Sequence, residues 1–136
     1  MKKLFILVLS VTILLTSCQT ESVKGERVTV ASGSYKNVTP NELNTMLKDK
    51  DLILINVHIP FAGNIAGKDL SIAYDEIERN LSQLPSDKNV KIVLYCRSGH
   101  MSQIAAEKLV SLGYTNIWNL KGGMIDWEKV GHKIEK

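Results

Sequence analysis

The chain has 136 residues, 17 Lys+Arg against 14 Asp+Glu and a formal net charge of +3, with two of the basic residues, Lys2 and Lys3, at its very start. Set those two aside and the balance is close to neutral with no basic cluster, which gives no support for nucleic-acid binding. The length remaining after residue 17 buries one ordinary core, so a single domain is expected.

Lys2 and Lys3 precede an uncharged, mostly apolar segment from Leu4 to Leu15. A dozen residues fall well below the roughly 20 that a spanning helix needs, so the segment reads as a secretory signal. Its end, Leu15-Thr16-Ser17-Cys18, resembles a bacterial lipobox. That resemblance implies cleavage after residue 17 and lipidation of Cys18 by fatty acyl chains such as palmitate. The protein is then expected in the bacterial cell envelope, anchored to a membrane and facing the periplasm or another extracytoplasmic space. The alternative is an ordinary cleavage site with an incidental cysteine. Gln19 follows Cys18, so no aspartate argues for retention at the inner membrane. With Cys18 consumed by lipid, Cys96 is an unpaired thiol in an oxidising compartment, which is easiest to understand if its reactivity is used.

Residues 18–33 are mainly polar and read as a tether, leaving 34–136 as the domain. Tyr35 to Val38 suggests a first short strand, and Thr39-Pro40-Asn41-Glu42 has the capping residue, proline and acidic first turn of a helix start. Leu43, Met46 and Leu47 share one face of that helix. Leu52 to Val57 is apolar except for Asn56, as expected of a strand covered on both faces. A loop through His58-Ile59-Pro60-Phe61 and Gly63-Asn64-Ile65-Ala66-Gly67 follows, then a short strand over Leu70 to Ala73. A helix is expected from Tyr74 to Leu84, with Asp75-Glu76-Ile77-Glu78 as its solvated first turn. Lys91 to Tyr95 is the next strand. After the Cys96 loop comes a helix burying Ile104, Ala105, Leu109 and Leu112 and ending at Gly113. Tyr114 to Leu120 holds a last strand, and Gly122-Gly123 opens a helix carrying Met124, Trp127 and Val130. Strands alternating with helices define an α/β domain, with a mostly parallel central sheet and helices on both faces.

Cys96 lies where a strand turns into a helix, within Tyr95-Cys96-Arg97-Ser98-Gly99-His100-Met101-Ser102. Such a turn aims several backbone N–H groups at one point, and the helix dipole adds positive potential there. This setting favours an ionised sulfur, so Cys96 is a candidate nucleophile. A buried structural cysteine is the alternative, but Arg97, Ser98 and Gly99 are poor neighbours for a core position. His100 is expected to face solvent and His132 to lie on the surface. His58 reaches the pocket mouth if its strand neighbours that of Cys96, an order that the residues leave open. Trp118 and Trp127 are expected in the core. No compact spacing of His and Cys suggests a metal site.

Four segments together resemble the rhodanese family: Ile55-Asn56-Val57-His58, Gly63 to Gly67, Cys96 to Ser102, and Leu120-Lys121-Gly122-Gly123-Met124-Ile125-Asp126-Trp127. The resemblance spans roughly Tyr35 to Gly131 and implies a sulfurtransferase. The Cys96 thiolate would take sulfane sulfur from a small anion such as thiosulfate and pass it to a thiol or other nucleophile. It implies no metal or organic cofactor, and a monomer is expected. The loop from Arg97 through Ser98, Gly99, His100 and Met101 to Ser102 would bind the substrate with its backbone N–H groups.

The chain departs from the family at three places. Asn56-Val57-His58 stands where Asp-Val-Arg is common, Gly63-Asn64-Ile65-Ala66-Gly67 where Gly-His-Ile-Pro-Gly is common, and Met101 where many members have Arg. Fewer cations weaken attraction for a doubly charged donor and leave Arg97 as the main cation beside the loop. A cysteine phosphatase or arsenate reductase is disfavoured, because Ser102 occupies the position six after the cysteine where a phosphatase needs arginine. A non-catalytic sulfur carrier or partner-binding domain is the other alternative.

Overall fold

The computed structural model describes residues 22–136, so the expected signal segment 1–17 and the expected lipidation site Cys18 lie outside the described residues. In chain order the elements are β1 (Glu26–Val30), β2 (Gly33–Val38), α1 (Pro40–Asp49), β3 (Ile53–Asn56), β4 (Asn64–Ile65), β5 (Leu70–Ser71), a 3-10 segment (Glu78–Gln83), β6 (Ile92–Tyr95), α2 (His100–Ser111), β7 (Ile117–Leu120), α3 (Gly123–Lys129) and β8 (Ile134–Glu135). The main sheet has six strands in the order β1-β2-β7-β6-β3-β5. Every pairing in it is parallel except that of β1 with β2. The expected α/β class with a mostly parallel sheet is therefore what the chain forms.

Strand alternation distributes the core between the two faces. Ile53, Ile55 and Val57 pack with Ile92, Leu94 and Cys96 on one face, together with Ala105, Ala106 and Leu109 of α2. Leu54, Val93 and Tyr95 point to the other face, where they meet Leu43 and Met46 of α1 and Met124 and Trp127 of α3. Both tryptophans are buried, as expected. The cap of α1 forms as its sequence suggests: the Thr39 hydroxyl accepts from the Glu42 N–H at 3.3 Å, and the Glu42 carboxylate accepts from the Thr39 N–H at 2.8 Å.

The structure corrects four expectations. Glu26–Val30, read as part of the 18–33 tether, is strand β1, and Val23 packs on the α1/α3 core. Val28 and Val30 turn inward while Glu26, Arg27 and Thr29 stay exposed, the pattern of an edge strand with one wet face. The Tyr74 to Leu84 helix is only a 3-10 segment over Glu78–Gln83, kinked at Asn80, whose side-chain amide donates to the Glu76 carbonyl at 2.8 Å. Ile104, expected to be buried, is exposed. His132 is half-buried, its ring 4.3 Å from that of Trp127. A second small sheet, β4 with β8, joins the loop after β3 to the end of the chain.

Candidate active site

β6 runs fully buried to Tyr95 and then releases the chain into the loop that carries Cys96. Alternation turns the Cys96 side chain toward α2, where it is 1% exposed. The loop folds back on itself through Gly99, whose φ of 98° is open to glycine at little cost. The reversal brings the Gly99 N–H to 3.0 Å from the Cys96 sulfur, which accepts its hydrogen bond. The Ser102 hydroxyl lies 3.4 Å from the same sulfur and 3.1 Å from the Gly99 carbonyl oxygen. Its single proton serves one of these acceptors at a time. Negative charge on sulfur draws that proton inward. The first-turn N–H groups of α2 at His100, Met101 and Ser102 find no acceptor among the described residues.

The outer wall of this loop is held by α3, a feature that the sequence shows only as a motif. Gly122 and Gly123 both have positive φ, 76° and 59°. This double turn brings the start of α3 against the loop, where the Met124 N–H donates to the Cys96 carbonyl at 2.9 Å and the Ile125 N–H to the Arg97 carbonyl at 3.0 Å. Donors that every helix leaves free at its N-terminus thus fix the backbone of the cysteine.

β3 neighbours β6, with Asn56 opposite Tyr95 in the register, so the loop after β3 lies beside the cysteine loop. His58 is half-buried, and its Nδ1 is buried without a partner. Burial, then the nearby Arg97 charge, lowers its pKa below the ordinary histidine value. His58 is therefore largely neutral at neutral pH and supplies no fixed charge to an anion. Arg97 is exposed and lines a cleft of about 260 Å³ with Ala62, Met124, Ile125, Glu128, Ile134 and Lys136. That cleft lies on the α3 side, whereas the sulfur faces α2. Ser98 and His100 are exposed. Met101 packs against the apolar core on the α2 side. Among the described residues no group of three or more His, Cys, Asp or Glu is placed to hold a metal ion.

Asn56 organises the loop that leads to this neighbourhood. It is 4% exposed; its Nδ2 donates to the Gly63 carbonyl at 2.9 Å and to Asn64 Oδ1 at 3.1 Å, while its Oδ1 accepts from the His58 N–H at 3.0 Å. Behind it, the buried Tyr95 hydroxyl accepts from the Ile65 N–H at 3.0 Å, and burial pushes the pKa of this phenol to about 12. The family's common aspartate does not fit here alone, because a carboxylate has no proton to offer two acceptors. Asn56→Asp is expected to cost about 2–4 kcal/mol. Adding Asn64→His, which puts a donor opposite the carboxylate in place of one of the two acceptors, should recover part of the loss in thermal unfolding. Equal stability of the single and double variants would contradict this coupling.

A mostly parallel α/β sheet thus delivers Cys96 into a loop of backbone donors at a helix start. The rhodanese-like domain family matches residues 39–130, and the chain belongs to that family. An uncharacterized protein of Synechocystis is 34% identical over 106 residues, covering 75% of this chain; the chain in turn covers 58% of that relative. A sulfurtransferase of Allochromatium vinosum is 32% identical over 100 residues, covering 71% of this chain and 92% of the relative. Among solved structures, a rhodanese-like domain protein from Staphylococcus aureus is similar with a TM-score of 0.60 and 30% identity, covering 74% of this chain and 99% of its own.

Proposed function

We propose that the protein is a sulfurtransferase that relays sulfane sulfur through a persulfide on Cys96. The observation that carries this reading is the sulfur itself, seated under a loop that supplies the Gly99 N–H at 3.0 Å and the Ser102 hydroxyl at 3.4 Å. In the first half-reaction the Cys96 thiolate attacks the sulfane sulfur of the donor. A new S–S bond forms as the donor's own S–S bond breaks, and the leaving group departs with the electron pair, as sulfite if the donor is thiosulfate. In the second, a thiolate or cyanide attacks the outer sulfur, the Cys96 S–S bond breaks, and the thiolate returns. Both states of the enzyme sulfur are anions, and the same donors serve each.

The cations do not favour thiosulfate. His58 is neutral, Met101 is packed in apolar surroundings, and Arg97 is an exposed side chain that lines the cleft beside α3. A singly charged organic persulfide therefore suits the loop better than a dianion. Intact mass after incubation with each donor, followed by cyanide release, tests the function. One added sulfur on Cys96, gained faster from the organic persulfide, is expected. A protein that transfers none from either donor is the partner-binding domain of the second reading, which the same missing cations favour.

We also propose that Cys18 carries the lipid anchor, supported by the short apolar segment and Leu15-Thr16-Ser17-Cys18. Cys18→Ala should move the protein out of the membrane fraction or leave an unprocessed precursor. Wild-type protein that is fully soluble with an unmodified N-terminus would rule the anchor out.

A further inference from the structure

Two large apolar side chains stand exposed next to the cysteine loop: Ile59, 41% exposed, and Phe61, 68% exposed. They form the tip of the loop after β3. That tip is not a frayed end, because one buried amide, Asn56, bonds the His58 N–H on its near side and the Gly63 carbonyl on its far side. At its base the Val57 N–H donates to the Tyr95 carbonyl at 2.9 Å, one residue before Cys96, and Ala62 shares the cleft that Arg97 lines. Holding apolar groups in water next to a reactive sulfur has a cost that burial against a partner would reverse.

The length and exit of the chain argue against a bilayer as that partner. Ser22 and Val23 line a groove with Asp51 and Lys91, which lie one or two residues before β3 and β6. The chain therefore enters the domain at the amino edge of the sheet, opposite the edge that carries Cys96. From Cys18 to Ser22 the backbone spans at most about 14 Å. An anchor at Cys18 holds the amino edge toward the membrane and leaves Ile59 and Phe61 on the far side.

We infer that the Ile59–Phe61 tip is a docking surface for a partner protein whose cysteine, flanked by apolar residues, exchanges sulfur with Cys96. Cys96 is 1% exposed, so a flat protein surface cannot reach its sulfur. The partner cysteine sits on a protruding or flexible segment that enters the loop while its apolar flanks cover the tip. This inference rests on the proposed persulfide relay.

The full chain, its Cys96 loaded with sulfur, is mixed with cyanide or with one of two short synthetic peptides. In one peptide the central cysteine is flanked by leucines, in the other by serines. The leucine peptide should take the sulfur about tenfold faster than the serine peptide. Ile59→Ser with Phe61→Ser should bring the leucine peptide's rate, measured relative to cyanide, down to that of the serine peptide. Equal rates for the two peptides in the wild type, or a double variant that slows cyanide as much as the leucine peptide, would overturn the docking surface alone. Failure of Cys96 to load at all would overturn the relay and the docking surface together. Vesicle binding by a Cys18→Ser protein that is lost in the double variant would assign the tip to a lipid surface and overturn the inference.

Discussion

Replacement of Cys96 by serine is expected to leave a folded protein that takes up no sulfur and shows no transfer above the uncatalysed rate. Oxygen fits the space and can still accept from the Gly99 N–H, so the loop retains its principal bond. The buried site then holds a smaller, more polar atom, at a cost of about 1–2 kcal/mol. Thermal unfolding should fall by several degrees without loss of cooperativity. Chemistry, by contrast, should vanish, because a serine hydroxyl is not ionised near neutral pH and has little affinity for sulfane sulfur. Intact mass and cyanide turnover read the two effects separately. Full transfer by the serine variant would remove Cys96 from the mechanism.

The second large effect is expected at Gly123, which never touches the sulfur. A Cβ built there lies 2.5 Å from the Cys96 carbonyl oxygen and 2.6 Å from that of Arg97, and φ is 59°. Both contacts are with backbone, so no side chain can swing aside. Gly123→Ala must move the start of α3 away from the loop. It thereby breaks the Met124 and Ile125 N–H bonds to the two carbonyls. Backbone strain and lost bonds together are expected to cost about 3–5 kcal/mol. A shift of the cysteine by about 1 Å should lower transfer by roughly a hundredfold. Gly131→Ala is the control: its φ of 95° imposes similar backbone strain, but a Cβ there meets nothing within 4 Å. If the two variants lose stability and activity alike, close packing at Gly123 is not what holds the loop.

The sequence made the central layer readable because burial on both faces leaves long apolar runs, as at Leu52 to Val57 and before Cys96. The cysteine loop was readable because a strand, a glycine and a helical period follow one another without a gap. Elements with weaker signals escaped. β1 alternates exposed Arg27 and Thr29 with inward Val28 and Val30, which resembles a polar linker until its partner strand is known. Ile77, Leu81 and Leu84 have helical spacing, but Asn80 diverts the backbone and only a 3-10 segment forms. β4 and β8 are two residues each, too short for any periodicity to register. At the site, Asn56 and Asn64 stand out singly as departures from a family pattern; only the hydrogen bond between them shows that they form a matched pair. The cleft that Arg97 lines is shared with α3 and with Lys136, neither of which is close to it in sequence.

The bonds from Met124 to Cys96 and from Ile125 to Arg97 also order events in the life of the chain. During synthesis residue 96 emerges well before residues 123–125. Until the later segment arrives, nothing holds the two loop carbonyls, and β6 lacks its β7 neighbour as well. The cysteine loop of a nascent or incomplete chain then lacks two of the backbone bonds that hold it in the folded protein. Those two bonds are acquired only with the last helix. A product ending before Gly123 would keep the Cys96–Ser102 segment in its sequence and lack the two backbone bonds by which α3 holds that loop.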